Sequence, residues 1–155
     1  WKIARTMDAT IEIVNRLAAP KSVNALLYTP VTSGLSCRET RVYELTADAS
    51  EDAMRRFAGE VLADPVSDEI HLGATPALPG AAYHLDIALK RGLLDLEREY
   101  LLKYLRNDPK AGLSPKSLRV VRRIYIYGAD ASPAPERIVK DVVNPVIHTW
   151  KIHHA

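Results

Sequence analysis

The sequence is poor in the features that mark secreted and membrane-spanning proteins. It has one cysteine, Cys37, among 155 residues, so no disulfide can form within the chain and packing must stabilise the fold. No uninterrupted apolar run is long enough to cross a bilayer, and residues 1–5, which read WKIAR, lack the apolar core of a signal peptide. These absences predict a globular protein of the cytoplasm.

Motifs that carry enzymatic chemistry are also missing. Neither a GxxxxGK[ST] loop nor a GxGxxG loop occurs to cradle phosphates, so we do not expect this chain to bind ATP by itself. Cys37 stands in a polar segment without the context of a nucleophile. His153 and His154 are adjacent histidines without a cysteine or carboxylate partner at metal-ligand spacing. The sequence therefore predicts no catalytic residue and no metal site.

An excess of charge of one sign is absent as well, because 21 Lys and Arg residues face 19 Asp and Glu residues. The two halves differ, however. Residues 1–72 carry eight basic and eleven acidic residues, whereas residues 81–155 carry thirteen basic and eight acidic residues. This asymmetry could orient the chain on a partner, or it could reflect drift between two solvated surfaces.

What the sequence does contain is an internal repeat. Residues 41–50 read RVYELTADAS, and residues 123–132 read RIYIYGADAS. Further along, LADPV at residues 62–66 is echoed by VVNPV at residues 142–146. Two ordered landmarks at nearly equal separation indicate a duplication. The identical positions of the first landmark pair Arg41 with Arg123, Tyr43 with Tyr125, Ala47 with Ala129, Asp48 with Asp130, Ala49 with Ala131 and Ser50 with Ser132.

An uncharged segment separates the two copies. Residues 73–82 contain two prolines and two glycines, a composition typical of a linker rather than of a helix or strand. The predicted organisation is a first module over residues 1–72, a linker over residues 73–82 and a second module over residues 83–155. Modules of this size often need a neighbour to cover apolar surface.

Each module can be interpreted as strand, helix, two strands, helix, strand. In the first copy, Asp8 is expected to cap a helix whose apolar side carries Ile11, Val14 and Leu17, and Ser50 to cap a second helix. Strands are expected at residues 2–6, 22–28, 41–46 and 69–72, and the second helix is expected to run from residue 51 to a stop at Pro65.

The second copy is expected to follow the same order. Asp95 is positioned to cap a helix, and Ser132 followed by Pro133 predicts another helix start. The expected strands are residues 84–89, two strands joined by a tight turn within 118–127, and residues 149–153. A βαββαβ chain folds into a four-stranded antiparallel sheet with both helices on one face. The sequence thus predicts an α+β protein of two tandem ferredoxin-like modules whose sheets pack as a single-chain pseudo-dimer.

Two motifs of the second copy resemble those of a known family. The segment IALKRGLLDL at residues 87–96 is similar to the opening strand and turn of PurS, the small subunit of phosphoribosylformylglycinamidine synthase. The segment NPVI at residues 144–147 resembles the element that ends the last helix of that family, and LADPV resembles a degenerate copy of it. The chain thus looks like a fused pair of PurS-like modules.

The resemblance implies a role in assembly rather than catalysis. PurS-like subunits pair through their sheets and bridge a glutaminase subunit to an ATP-dependent synthetase subunit in de novo purine biosynthesis. The implied complex is a ligase that uses ATP, Mg²⁺ and glutamine, none of which this chain would bind alone. The implied partners are therefore the glutaminase and synthetase parts of that synthase, and the residues implied to contact them are Lys90, Gly92, Asp95, Asn144 and Pro145.

The sequence departs from the family pattern at several points. Arg91 and Leu96 replace two expected prolines, and Met7-Asp8 stands where the first copy should have its turn. Two other functions stay open. One is RNA binding, with Tyr125 and Tyr127 stacking bases beside a group of arginines, and the other is a regulatory module that binds a small ligand between its halves.

Overall fold

A computed structural model describes residues 5–128 and 133–155, and within them the chain is an α+β protein. Seven strands and three α-helices are present in these ranges. The strands are β1 (Arg5–Asn15), β2 (Lys21–Ser22), β3 (Ser36–Ala49), β4 (Asp68–Leu72), β5 (Tyr83–Leu89), β6 (Leu113–Tyr127) and β7 (His148–His154). The helices are α1 (Glu51–Phe57), α2 (Leu96–Asn107) and α3 (Pro135–Val142), with short 3-10 turns at Val23–Leu26 and Pro109–Ala111 and a π-helical turn at Ala58–Leu62.

The strands form an antiparallel sheet in the order β4-β1-β3-β6-β5-β7, and β2 pairs with β3. The registers of β1 and β5 are anchored by the pairs Ile11 with Tyr43 and Leu85 with Ile124. The strands that precede α1 and α3, which are β3 and β6, are 14 and 15 residues long. That is about twice the usual strand length.

The chain divides into two compact units, and neither follows the boundary between the sequence repeats. The first unit comprises Trp1–Leu17, Arg41–Ala77 and Leu94–Val121. The second comprises Ala18–Thr40, Leu78–Leu93 and Arg122–Ala155. Each unit therefore draws segments from both copies of the repeat, because β3 and β6 are long enough to contribute one part to each unit.

The core of the first unit lies between its strands and two helices that come from different copies. Ser50 caps α1 by accepting a hydrogen bond from Ala53 N, and Asp95 caps α2 in the same way from Arg98 N. The apolar residues that meet in this core include Ile11, Tyr43, Leu45, Met54, Phe57, Leu101, Leu102, Leu105 and Leu118.

The second unit has its own core under α3 and the 3-10 turn Val23–Leu26. Alternate residues of β5 point into it, as the two-residue period of a strand requires. Gly128 lies at φ 134°, a backbone conformation that residues with a side chain rarely adopt, and a Cβ there would also push against Leu35 Cδ2 at 2.6 Å, so glycine is favoured. The apolar residues of this core include Val23, Leu35, Cys37, Leu85, Ile87, Ile124, Ile126, Ile138 and Val143.

The expected first helix of the first copy is wrong. Residues 8–15 belong to β1, and Asp8 accepts a hydrogen bond from Thr46 Oγ1 at 2.6 Å instead of capping a helix. Ile11, Ile13 and Val14 are all buried. Over so short a segment a strand buried on both faces satisfies a helical apolar pattern equally well, and the β-branched residues decided the outcome.

Three further sequence expectations need correction. Residues 22–28 are mostly a 3-10 turn rather than a strand, because Ser22 caps that turn by accepting from Asn24 N. Residues 118–127 are a single strand within β6 rather than two strands with a turn. Helix α3 begins at Pro135, not at Pro133, and its expected cap, Ser132, lies outside the described residues.

Other expectations are confirmed. The structure has the Ser50 and Asp95 caps, a helical segment that ends before Pro65, and strands at residues 41–46, 69–72, 84–89 and 149–153. The expected strand at residues 2–6 lies partly outside the described residues, and β1 begins at Arg5. In the described part of the chain, none of the helices is long and apolar enough to span a membrane.

Candidate functional site

The LADPV landmark forms a tight turn between the first copy's helix and β4. The Asp64 carboxylate accepts hydrogen bonds from Val66 N at 2.8 Å and Ser67 N at 3.2 Å. The carbonyl of Asp64 accepts from Asp68 N at 2.9 Å, and Asp64 N donates to the Asp68 side chain at 2.8 Å. Two hydrogen bonds lower the pKa of Asp64 below its usual value, because they favour the charged carboxylate. The bond from the Val66 N–H has the larger effect, and the bond from the Ser67 N–H has the next largest. Val66 stands at the tip, 77% exposed.

The second landmark forms the same turn with different residue types. Asn144 Oδ1 accepts from Val146 N at 3.0 Å, and the Asn144 carbonyl accepts from His148 N at 2.8 Å. Asn144 N donates to Nδ1 of His148 at 3.0 Å, as Asp64 N donates to Asp68. Val146 at the tip is 75% exposed. The two copies therefore repeat the hydrogen bonds of the turn even where the residues that form them differ.

Each turn is joined to the end of the neighbouring strand. Arg16 N donates to the carbonyl of Ser67, and Lys90 N donates to the carbonyl of Ile147, both at 2.8 Å. Arg16 is thus the structural counterpart of Lys90, and the sequence alignment that placed Met7-Asp8 there is wrong. In the first copy the Arg16 guanidinium also donates to the Val66 carbonyl at 2.9 Å.

The residues predicted to contact a partner fall into two groups. Lys90 is joined by its backbone to the turn that contains Asn144 and Pro145, and all three lie in the second unit. Gly92 lies in the same unit at φ 87°, a backbone conformation that favours glycine. Asp95 belongs to the first unit, where its side chain is used to cap α2.

The first landmark of the repeat behaves differently from the second. Tyr43 lies opposite Ile11, whereas Tyr125 lies opposite His84 and Ile124 takes the corresponding place beside Leu85. The pairing of the second copy is therefore shifted by one residue. Because side chains alternate between faces, a shift of one residue turns every side chain to the other face of the sheet.

Tyr43 consequently faces the helices of the first unit. Its hydroxyl donates to Glu97 Oε1 at 2.7 Å, and Arg41 forms an ion pair with the same carboxylate. Burial, followed by the hydrogen bond to Glu97, raises the pKa of Tyr43. In the second unit Ile124 takes the corresponding place in the core, and Tyr125 is fully buried with its ring 5.4 Å from that of His84.

Beside Tyr125 lies a cluster of polar side chains from three strands. His84 and Asp86 come from β5, His153 from β7 and Arg123 from β6. Arg123 binds both oxygens of Asp86, with Nε to Oδ1 at 2.7 Å and a terminal nitrogen to Oδ2 at 3.0 Å. Nε2 of His153 lies 3.2 Å from Asp86 Oδ2. The rings of His84 and His153 stack with centroids 4.5 Å apart.

The sequence contained a signal for this cluster. His84 and Asp86 are two residues apart in a segment predicted as a strand, so they share a face. The third member could not be found from spacing, because β7 is brought beside β5 only by the sheet, through the pair His84 with His153. One imidazole of the C-terminal histidine pair thus belongs to a cluster, although both were expected to be frayed surface.

Cys37 also differs from its expected setting. It lies in β3 opposite Lys21 and is buried, not in a polar loop. Burial, and then the charge of Glu39, raises the pKa of the thiol, which disfavours the thiolate that a nucleophilic cysteine needs.

No known family model matches this chain. Comparisons with curated proteins and with solved structures likewise find no match.

Proposed function

We propose that the chain is an assembly module without an active site of its own, equivalent to a fused pair of PurS-like subunits or to the corresponding domain of a phosphoribosylformylglycinamidine synthase. In this role it bridges the glutaminase and synthetase parts of the complex. ATP, Mg²⁺ and glutamine are then consumed by those partners.

The observation that carries this proposal is the pair of matched turns. Both turns keep the hydrogen-bond pattern of the motif that resembles PurS, and both present a valine that is about three-quarters exposed, Val66 and Val146. Isolated exposed apolar residues are common. Two at the same place in two copies of a turn, however, suggest a repeated point of contact.

The proposed fold is a pair of ferredoxin-like modules that exchange elements and depart from a strict βαββαβ order, since the first copy has β1 where its first helix was expected and β6 is a single strand. Helix α2 follows β5 in the chain but packs in the first unit with α1, whereas α3 packs in the second unit with β5 and the turn Val23–Leu26. Such an exchange is what a single-chain pseudo-dimer of intertwined modules requires, since each core is incomplete without the other copy.

Co-purification tests the proposal. The chain is expected to associate with the glutaminase and synthetase subunits of the purine pathway, in the presence of glutamine and ATP with Mg²⁺. Val146→Asp is expected to weaken this association at least about tenfold, because it places a charge in an apolar contact. Tyr100→Asp, a change at an exposed position of α2, serves as the control and is expected to leave association unchanged.

The outcomes discriminate clearly. Association that is lost in Val146→Asp but kept in Tyr100→Asp supports a contact through the second turn. Val66→Asp then reports whether the first turn contacts a partner too. Failure of the unmodified chain to associate with either subunit under all ligand conditions would overturn the proposal.

The structure does not favour the RNA-binding alternative. Tyr125 is fully buried and cannot stack on a base. The arginines nearby are paired with carboxylates: Arg119 with Glu44, Arg122 with Glu39 and Arg123 with Asp86. A phosphate would have to displace these acidic partners.

A further inference from the structure

The cluster in the second unit has the composition of a transition-metal site. His84, Asp86 and His153 each offer one ligand atom, and these atoms all lie within 4.8 Å of one another. All three side chains are partly buried, and they are held by the paired strands β5 and β7. Two imidazoles and a carboxylate form a ligand set that zinc and related divalent ions accept.

We propose that His84, Asp86 and His153 bind a divalent ion of the zinc class. Directly opposite residues of antiparallel strands have Cβ atoms about 5 Å apart, so the cross-strand pair His84 and His153 can reach one ion with small side-chain rotations. Asp86 supplies the third ligand from the same face of β5. Solvent completes the coordination, because the site offers three protein ligands.

Arg123 is compatible with this role and limits the affinity. Its Nε bonds Oδ1 of Asp86 at 2.7 Å, and a terminal nitrogen bonds Oδ2 at 3.0 Å, the oxygen that also faces Nε2 of His153 at 3.2 Å. An ion bound at Oδ2 therefore displaces the terminal nitrogen, while Nε keeps Oδ1 and orients the carboxylate in the way that outer hydrogen bonds orient carboxylate ligands. The guanidinium charge already neutralises Asp86, so we expect micromolar rather than nanomolar binding.

The first copy lacks the equivalent site. By the matched pairing of β1 with β4 and of β5 with β7, Glu12 corresponds to Asp86. Thr10 and Gly73, which are joined by a backbone hydrogen bond, stand where His84 and His153 stand. A carboxylate remains but both imidazoles are missing. The duplication thus provides a comparison within one chain, and we expect one ion per chain.

Titration of the untagged chain with Zn²⁺ by calorimetry and with Co²⁺ by visible absorption tests the proposal. The expected result is one ion per chain, with the d–d bands that Co²⁺ shows with nitrogen and oxygen ligands. His84→Ala, His153→Ala and Asp86→Asn should each weaken Zn²⁺ binding at least about tenfold, because loss of even an outer partner costs about 10- to 100-fold.

His154→Ala is the matched control, since His154 is adjacent to His153 but outside the cluster. It is expected to bind Zn²⁺ as the unmodified chain does. Circular dichroism shows whether each variant is folded, and the unmodified chain should melt at a higher temperature with Zn²⁺ than without it. No saturable binding in the unmodified chain, or equal loss in His154→Ala and His153→Ala, would overturn the proposal.

Discussion

The two landmarks of the repeat differ in how well their structure is kept between the copies. The turns at residues 64–68 and 144–148 share one backbone hydrogen bond and two bonds between backbone N–H groups and side chains, although aspartate and asparagine begin them and aspartate and histidine close them. The strands that contain Tyr43 and Tyr125 share more identical residues, yet their pairing differs by one residue, so Tyr43 belongs to the core of the first unit whereas Ile124, not Tyr125, belongs to the core of the second.

The difference shows which kind of sequence signal is robust. A turn is specified by local side-chain-to-backbone bonds, which any residue with an acceptor at the right atom can make. A strand specifies only an alternation of faces, and which face is buried depends on the register with its neighbours. When a strand shifts by one residue relative to its neighbour, its sequence motif is unchanged, but side chains that faced the core now point to the other side of the strand.

The largest expected effect tests the burial of Tyr125. Tyr125→Ala should lower the free energy of unfolding by about 3–5 kcal/mol, because it removes a large and fully buried ring. Tyr28→Ala, at a residue 88% exposed, should change it by no more than about 0.5 kcal/mol. Chemical denaturation measures both values. A loss at Tyr125 as small as that at Tyr28 would show that the ring is exposed.

The corresponding arginines give the next prediction. Arg123 pairs with Asp86 through side chains 8% and 17% exposed, whereas Arg41 pairs with Glu97 through side chains 59% and 30% exposed. Arg123→Gln should cost about 3 kcal/mol because it leaves a carboxylate that is largely buried without its partner. Arg41→Gln should cost less than about 1 kcal/mol, because water screens the pair. If chemical denaturation showed the same loss of unfolding free energy for Arg123→Gln and Arg41→Gln, the two ion pairs would not differ in burial as described.

A smaller effect is expected at the hydroxyl of Tyr43. Tyr43→Phe removes the hydrogen bond to Glu97 but keeps the ring in the core, so it should lower the free energy of unfolding by about 1 kcal/mol. The variant also removes the phenol whose raised pKa can be followed by ultraviolet titration. If Tyr43→Phe were as stable as the unmodified chain, the hydroxyl would have no net stabilising role.

The smallest effect is a dependence on pH in the first turn. The pKa of Asp64 is lower in the folded chain than its ordinary value, so the stabilisation by the carboxylate is complete above about pH 4 and is lost as the pH falls through the folded pKa. Asp64→Asn should reduce this loss, because an amide does not titrate. Hydrogen exchange from pH 5 down to about pH 2, below the usual pKa of aspartate, checks the prediction. The Val66 and Ser67 amides should lose protection as the pH falls, whereas the Val146 amide, which bonds the Asn144 side chain, should not.

Local chemistry was predictable from the sequence, and long-range pairing was not. Ser50 and Asp95 were recognisable as helix caps because the acceptor lies next to the helix it caps. Residues 8–15 were misinterpreted because a strand buried on both faces and a short amphipathic helix share apolar spacings. The continuous strand at residues 118–127 was missed because the expected βαββαβ order required a turn there, although no turn residue interrupts that segment.

The candidate sites follow the same division. The segment NPVI at residues 144–147 was singled out from four residues, and the structure joins Lys90 N to the Ile147 carbonyl of that segment. Asp95 is separated from these residues because the chain passes into the other unit between residues 93 and 94. The cluster of His84, Asp86 and His153 needed the pairing of β5 with β7 to become visible.

The sequence by itself determined where the internal repeat lies, that Ser50 and Asp95 cap helices and that the helix after Ser50 ends before Pro65, because each of these is encoded by residues a few positions apart. Only the tertiary structure decided that helices of different copies share a core, that Ile124 rather than Tyr125 takes the place of Tyr43 in its core and that two histidines meet an aspartate. Those outcomes depend on strand register and on the pairing of distant segments, where the free energy of burying a whole face outweighs the preference of any single residue.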